Sequence, residues 1–505
     1  MAEKTETDDG PLKQVEERVE ERVEEMVGGP ARLRIIALLS AVLGLDTADK
    51  ATVSAVAGSL EQAFHIGAAE IGLLIAAVSF VGAIFALPMG VFVDRMRRKR
   101  LLVIVIALWS VAMVISGTAS SYVYMLVARI GLGAVTAAAS PAVASLTGDF
   151  FPSKDRAKVY GLILAGELVG TGIGFFVSGE VSAWLDWHWS FYVMGVPGAV
   201  LAWTIWRFLP EPARGGQSWI EWGQEEIRTE EDVEKEQGDA PDRSRGRELE
   251  QSAEAAQAQE EVLGAGVQPR KELILHEDPA EKSVWWAIGY VVRIPTYLLL
   301  IIASSLGYFF FSGVRGFGMI YLTGHYGISR GIAASLVIVL GIGGLIGVIS
   351  GGRISSRLLA KGRPDARILV PGIALFISIL LFAPGIWTTN VFLGIALLAL
   401  GAMALAAANP PIDAARLDIV HPRLWGRAES GRMALKAALE GAAPILFGLV
   451  TEWLGGGDRA LEWTYLIMLV PVAVAASLAI PARRTYLRDV ATAAESVKET
   501  AKQPG

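Results

Sequence analysis

The stretch GVFVDRMRRKR, residues 90–100, joins the second and third of a series of apolar segments. So short a connection places two consecutive membrane helices side by side. Gly90 permits close helix approach, and Asp94 can accept hydrogen bonds from a helix N-terminus or from an arginine across the half. An ordinary basic loop would explain Arg95 and Arg98 but not the glycine and the acid. The stretch therefore predicts a gating element.

The chain has 505 residues, of which 53% are hydrophobic, and twelve of its segments are long and apolar enough to cross a bilayer. Their approximate bounds are 33–60, 69–93, 100–119, 122–149, 155–182, 188–209, 295–323, 330–356, 366–387, 390–414, 426–453 and 462–482. The glycine and arginine of residues 90–100 recur after the eighth segment, in GGRISSR. This predicts an all-α membrane protein with twelve transmembrane helices in two pseudo-symmetric six-helix bundles. Ser356 replaces the acid there, so the second gate should be weaker.

Basic residues mark one side of the predicted bundle. They concentrate in the connections at 95–100, 154–158, 353–367 and 416–432, whereas the opposite connections hold one arginine and no lysine. Basic loops face the cytoplasm, so we expect both termini there, in a multi-pass protein of a bacterial inner (plasma) membrane.

Composition excludes several other classes of protein. The chain has no cysteine, so it can form neither a disulfide nor a thiolate site. It lacks the phosphate-binding string of ATPases, and its five histidines fall in loops or at helix ends. The net charge of -6 argues against nucleic acid. We expect no enzyme activity, no cofactor and no metal, and a monomer.

The polar segments divide the chain into a cytoplasmic N-terminal segment, a first bundle, a cytoplasmic linker that is partly disordered, a second bundle and a cytoplasmic tail. Their bounds are 1–32, 33–209, 210–294, 295–482 and 483–505. We expect residues 15–27 to form a charged amphipathic helix. Within the linker, the apolar islands at 219–222, 273–275 and 284–286 should lie at the membrane interface, where tryptophan is favoured.

Residues 90–100 closely resemble the signature loop of the major facilitator superfamily of transporters. A narrower resemblance covers much of the first half and looks like the spinster branch, whose members export lysophospholipids or sphingolipid-derived lipids. It rests on LDTADKATVSAVAGSLEQAFHIGAAEIGLL, ARIGLG, GDFFPSKDRAK and DWHWSFYVMGVPG, followed by PEPARG. The branch's first-helix Asp-Arg pair is matched here by Asp49 and Lys50, and its fourth-helix arginine by Arg129. Ala134 replaces the branch's fourth-helix glutamate.

Charges inside spans are costly and usually functional. Asp46, Asp49 and Lys50 share one turn of the first span, and Asp49 should lie roughly 24 Å from its cytoplasmic end. Arg129 should lie roughly 12 Å deep from the other side, at about the same level. Two interpretations stay open: an Asp49–Arg129 bridge that acts as a proton switch, or a permanent structural pair of Asp46 with Lys50.

Glu167 should lie at mid-membrane in the fifth span, where it can stand in for the missing fourth-helix carboxylate. The glycines beside it, Gly166, Gly170, Gly172 and Gly174, predict close helix packing.

In the second half, Arg315, Lys436 and Glu440 are the buried candidates. The i,i+4 spacing predicts a structural pair of Lys436 with Glu440. Arg315, among aromatic residues, is then a candidate for attracting an anionic or phosphate head group.

The tenth span ends in Asn409, Pro410 and Pro411, which predict a helix break and a gate hinge. We expect the charges at 413–418 to be solvated boundary residues rather than transport residues.

Together these features predict a secondary active transporter of an amphiphile, most specifically a lysophospholipid, that works by proton-linked alternating access. The polar head would lie near Asp49, Arg129 and Glu167. The alternative is a proton-coupled multidrug or organic-ion efflux carrier.

Overall fold

The fold was analysed on a computed structural model that describes residues 28–66, 68–212, 267–279, 282–328 and 330–501. The predicted amphipathic helix at 15–27 and the apolar island at 219–222 lie outside the described residues.

The first bundle contains eight helices that form six helical units, because two units consist of consecutive helices. Their bounds are α1 Pro30–Ala55, α2 Ala57–Phe64, α3 Ala68–Arg95, α4 Arg98–Gly117, α5 Tyr122–Thr136, α6 Ala139–Phe150, α7 Ser153–Trp184 and α8 Trp187–Phe208. The units with two helices are α1 with α2 and α5 with α6.

The second bundle repeats this organisation after a short helix, α9, of the linker. The bounds are α9 Val284–Val292, α10 Pro295–Tyr326, α11 Arg330–Ala360, α12 Ala366–Trp387, α13 Val391–Ala407, α14 Asn409–Asp418, α15 Trp425–Trp453, α16 Gly457–Ile467 and α17 Leu469–Ala501. Joined at their breaks, α13 with α14 and α16 with α17 complete six further units.

These units are consistent with the predicted twelve spans. Within the described residues, nine helical segments are long and apolar enough to cross a membrane, and the bent α3 makes ten. The other two units are α1, which carries five charged side chains, and α8, whose histidine and tryptophans lower its hydropathy. The all-helical membrane architecture predicted from the sequence is therefore confirmed.

Glycines fix the distance between α1 and α7. A Cβ atom built on Gly166 would lie 2.5 Å from the carbonyl oxygen of Ser40, and atoms built on Gly170 and Gly174 would overlap α1 in the same way. This spacing of four residues forms a continuous contact face that only glycine fits. The predicted close packing is present at Gly166, Gly170 and Gly174, and it brings the neighbouring Glu167 against the charged turn of α1. For Gly172 the prediction is wrong, because this residue faces open space.

The connections between α3 and α4, α6 and α7, α11 and α12, and α14 and α15 share one end of the molecule, which we call the basic end. Here α17 continues to Ala501, well beyond the predicted end of the last span at 482. This extension packs on linker residues 267–279. Two leucines of that segment, Leu273 and Leu275, are buried in the core of the second bundle. These leucines thus contact protein, where the sequence predicted the membrane interface.

Candidate functional site

The centre of the first bundle holds a buried ion pair between α1 and α5. The two terminal nitrogens of the Arg129 guanidinium, Nη1 and Nη2, donate to the carboxylate of Asp49, at 2.6 and 2.9 Å. The two side chains are 0% and 1% exposed. A two-point contact of this kind fixes both groups geometrically, and protonation of Asp49 would leave a buried cation without its counter-charge.

The other two charges of this turn of α1, Asp46 and Lys50, face a more open environment. The Lys50 ammonium donates to the Asp46 carboxylate at 2.7 Å, and these side chains are 33% and 28% exposed. Both predicted pairs of the α1 charges are therefore present in the structure. The Asp49–Arg129 pair is buried in protein, whereas the Asp46–Lys50 pair is partly exposed.

Glu167 lies across from these charges on α7. Its backbone carbonyl accepts from Thr47 of α1 at 2.7 Å, which pins the two helices together at this level. Its carboxylate lies within electrostatic range of Lys436, Asp46 and Lys50. Charges from both bundles therefore meet around Glu167.

The second bundle contributes its charges in an arrangement that differs from the prediction. Glu440 lies 3.6 Å from Arg315, whose guanidinium also covers the ring of Phe311. The ammonium of Lys436 lies 3.6 Å from the ring centre of Tyr308. The predicted Lys436–Glu440 pair is thus wrong, because partners on α10 are better placed than the neighbour one turn along α15.

At the basic end, Asp94 joins the two bundles. Its carboxylate accepts from the backbone nitrogens of Gly426 and Arg427, at 2.9 and 3.1 Å, and from Nε of Arg427 at 2.7 Å. These nitrogens belong to the first turn of α15, so Asp94 caps a helix of the other bundle. Gly90 makes this approach possible, since a Cβ atom there would overlap the Ser430 hydroxyl.

The other two residues of the predicted gating motif lie in different surroundings. Arg98 binds Asp149 of the first bundle and Glu211 at the start of the linker, and Arg95 is exposed at the end of α3.

Two further contacts join the bundles here. Ser140 donates to Glu429 at 2.9 Å, and Arg156 lies 3.1 Å from Asp418. With the Asp94 contact they form what we call the seal, a set of buried bonds between the first and second bundles.

Residues 413–418 correct a prediction. Asp413, Arg416 and Asp418 are buried rather than solvated. Arg416 bridges Asp413 and Glu429, so these charges belong to the network behind the seal. The sequence analysis did not single out Glu429, although its position between Arg427 and Arg432 was a usable signal.

Matches to known proteins identify the fold. Residues 38–384 match the family described as the Major Facilitator Superfamily. The chain belongs to the major facilitator superfamily. Solved transporter structures also match this chain, over 88 to 91% of its length.

Three of these structures serve as comparisons. An inward-facing, occupied bacterial homologue of the human lysosomal transporter Spinster has 19% identity and a TM-score of 0.55, covering 91% of this chain and 98% of that one. The E. coli fucose:proton symporter FucP has 14% identity and a TM-score of 0.61, covering 88% and 98%. The human organic anion transporter MFSD10 has 14% identity and a TM-score of 0.59, covering 88% and 100%. At these identities the likeness shows a shared fold.

Two sequence motifs remain, GGRISSR in the second bundle and the helix break at Asn409. The backbone nitrogen of Lys158 donates to Ser356 at 3.2 Å, so the second motif makes a neutral contact where the first makes a charged one. The predicted break before Asn409 is present, because α13 ends at Ala407 and α14 begins at Asn409. The two helices still form one span by length and composition.

Proposed function

We propose that the chain is a secondary active transporter that moves an amphiphile, most specifically a lysophospholipid, by proton-linked alternating access. The observation that carries the proposal is a group of partly exposed charged side chains together with a buried seal between the two bundles. The side chains of Asp46, Lys50 and Arg315 are 28, 33 and 53% exposed, whereas Asp94 and Arg427 are at most 3% exposed. The centre is therefore closed toward the basic end.

Orientation follows from charge. In this proposal the basic end lies in the cytoplasm, as its arginines favour, so that both termini are cytoplasmic and the conformation with the closed seal is outward-facing. Transport then requires the seal to open while the opposite end closes, which is a rocking of one bundle against the other.

Proton linkage is proposed for two carboxylates. Asp49 is the first, because a proton on it would release Arg129 from a two-point contact. Glu167 is the second. It lies at the level of the α1 charges, and it supplies a carboxylate in a chain where Ala134 occupies the position of the spinster branch's fourth-helix glutamate. Either change would alter the charge that faces a bound head group.

The lipid assignment rests on the strings shared with the spinster branch and on the likeness in fold to a Spinster homologue. An acyl chain needs an apolar path, and the glycine- and alanine-rich helices around the charged centre are suited to one. A soluble organic ion would require only the charged centre.

The test is flux of labelled lysophosphatidylethanolamine in proteoliposomes under an imposed pH gradient, with Asp49→Asn as the variant and Asp186→Asn, an exposed loop acid, as its control. We expect gradient-driven flux in the native chain and the control, and its loss in Asp49→Asn. Absence of lipid flux in the native chain, with flux of an organic ion instead, would favour the efflux alternative.

A further inference from the structure

The basic end contains two junctions between the bundles that are related by the pseudo-symmetry of the molecule. At the first, between α3 and α15, Asp94 binds Arg427. At the second, between α7 and α11, Ser356 stands where the repeat would carry the acid, and it accepts from the backbone nitrogen of Lys158 at 3.2 Å. No residue of α11 is acidic. Opposite charges therefore meet at the first junction, whereas α11 brings no negative charge to the second.

Basic side chains gather at this second junction because a glycine brings the two helices together. A Cβ atom built on Gly352 would overlap the carbonyl oxygen of Ala157 and would lie 3.1 Å from Cα of Lys158. Neighbouring Cα atoms are 3.8 Å apart, so Cα of Arg353 lies within roughly 9 Å of Cα of Lys158, a distance that the two long side chains can bridge. Arg357 follows Ser356 and shares a helix face with Arg353. The charge of Lys158 interacts with both arginines.

The described acids near this patch are engaged elsewhere. Asp155 of α7 binds Arg32 at 2.8 Å, and Asp418 binds Arg156 in the seal. In the part of the chain that the structure describes, no carboxylate lies within ion-pair distance of Arg353 or Arg357. Like charges from two bundles thus repel one another across the junction, and an anion bound among them would turn this repulsion into attraction.

The patch lies where an apolar surface ends. Ile346 and Ile354 of α11 are 51% and 48% exposed, and Arg357 follows one turn after Ile354. Arg357 is exposed, and Arg353 and Lys158 are partly buried. An acyl chain can lie along the isoleucines while its phosphate reaches the basic groups, whereas a soluble anion would use only the basic groups. Basic pockets between membrane helices on the cytoplasmic side bind anionic lipid head groups in this way.

We propose that Lys158, Arg353 and Arg357 bind the phosphate of an anionic membrane phospholipid, which supplies the negative charge that α11 lacks. The site lies nine residues along α7 from Glu167, roughly 14 Å away, so it does not depend on the cargo. Because the lysine belongs to one bundle and the arginines to the other, the site is complete only while α7 and α11 touch. The lipid therefore binds the closed seal more tightly than the open one and stabilises it.

The test uses native mass spectrometry to measure the affinity of the full chain for phosphatidylglycerol, with phosphatidylcholine as the neutral reference. The variants are Lys158→Gln and the double variant Arg353→Gln with Arg357→Gln. The matched control is Arg484→Gln with Arg488→Gln, two exposed arginines of α17 that have the same i,i+4 spacing and lie at the basic end.

We expect the native chain to prefer phosphatidylglycerol. Each basic residue near an anionic head group contributes about 5-fold in affinity, so Lys158→Gln should bind about 5-fold and the double variant about 25-fold more weakly. The control should match the native chain. Asp94→Asn, which loosens the seal, should bind about 2-fold more weakly if its closed state is half populated, although removal of a negative charge alone would strengthen anion binding.

Equal affinity of the native chain for the two lipids, or equal weakening in the control and the arginine variant, would overturn the site. Displacement of phosphatidylglycerol by millimolar inorganic phosphate would show a site for soluble anions and would overturn the lipid assignment. Stronger or unchanged binding in Asp94→Asn would overturn the link to the closed seal.

Discussion

Replacing Asp94 with asparagine should unlock the basic end. The carboxylate is 3% exposed and accepts three hydrogen bonds from Gly426 and Arg427 of the other bundle. Asparagine keeps one acceptor oxygen, but its amide nitrogen cannot accept, and its neutral side chain no longer compensates the guanidinium. The variant loses bonds that exist only while the seal is closed.

The size of the effect can be worked from these bonds. A hydrogen bond to a charged group contributes about 1.5–3 kcal/mol, and an anion at a helix N-terminus adds about 0.3–1 kcal/mol. A loss of about 3 kcal/mol shifts the closed–open equilibrium about 100-fold, since 1.4 kcal/mol is tenfold. A closed state populated at about 99:1 would become about as populated as the open one.

The chain has no cysteine, so spin labels can be placed without removing native thiols. Exposed Arg100 and Lys361, at the basic ends of the two bundles, are suitable sites for Arg100→Cys and Lys361→Cys. Double electron–electron resonance should show a second, longer distance in Asp94→Asn. The control is Asp155→Asn, which breaks the Arg32–Asp155 pair inside the first bundle and should leave the distance unchanged. A folded Asp94→Asn chain with the native distance distribution would refute the reasoning.

Three further changes have defined outcomes. Gly161→Ala would put a Cβ atom 2.5 Å from a backbone carbonyl of the second bundle, so the same labels should report opening, whereas Gly172→Ala, with free space, should not. Burial lowers the pKa of His421 from 6.5 to about 4. Because the histidine binds its proton more strongly in the unfolded chain, protonation destabilises the fold: the contribution of neutral His421 to the free energy of unfolding is complete above about pH 6.5 and is lost as the pH falls toward 4. Between pH 7 and 4 the free energy of unfolding of the native chain should fall by about 3 kcal/mol more than that of His421→Asn, measured by denaturant titration. Asp489→Asn removes the buried negative charge and one of the two oxygens that accept from Arg270 and Thr296, and it should lower the melting temperature in a thermal-shift assay by the equivalent of about 2–4 kcal/mol. An unchanged temperature would show that the charge of Asp489 contributes nothing.

Local patterns predicted much of the architecture and part of the centre. Hydropathy located the spans because a lipid environment requires long apolar helices. Helix geometry placed Asp49 and Arg129 at one depth, and the structure joins them. Gly90 and Asp94 were identified as a gating element from their spacing, although which helix Asp94 would cap could not be read from that spacing.

Tertiary contacts explain the errors. The i,i+4 spacing favoured a Lys436–Glu440 pair, but such a pair is weak on its own. Residues of α10 are the actual partners of both side chains: Tyr308 contacts Lys436, and Arg315 pairs with Glu440. The charges at 413–418 resembled a solvated boundary because charge indicates exposure when no partner is known. Arg416 and its acidic partners are buried together, which sequence distance alone does not reveal.

The central claim, that protons and lipid move together through this charged centre, is tested most directly by a pH-sensitive dye trapped in proteoliposomes. When a lysophosphatidylethanolamine gradient is applied, the native chain should change the internal pH as lipid crosses, and Asp49→Asn should not. Lipid flux through the native chain without any change in internal pH would contradict the claim.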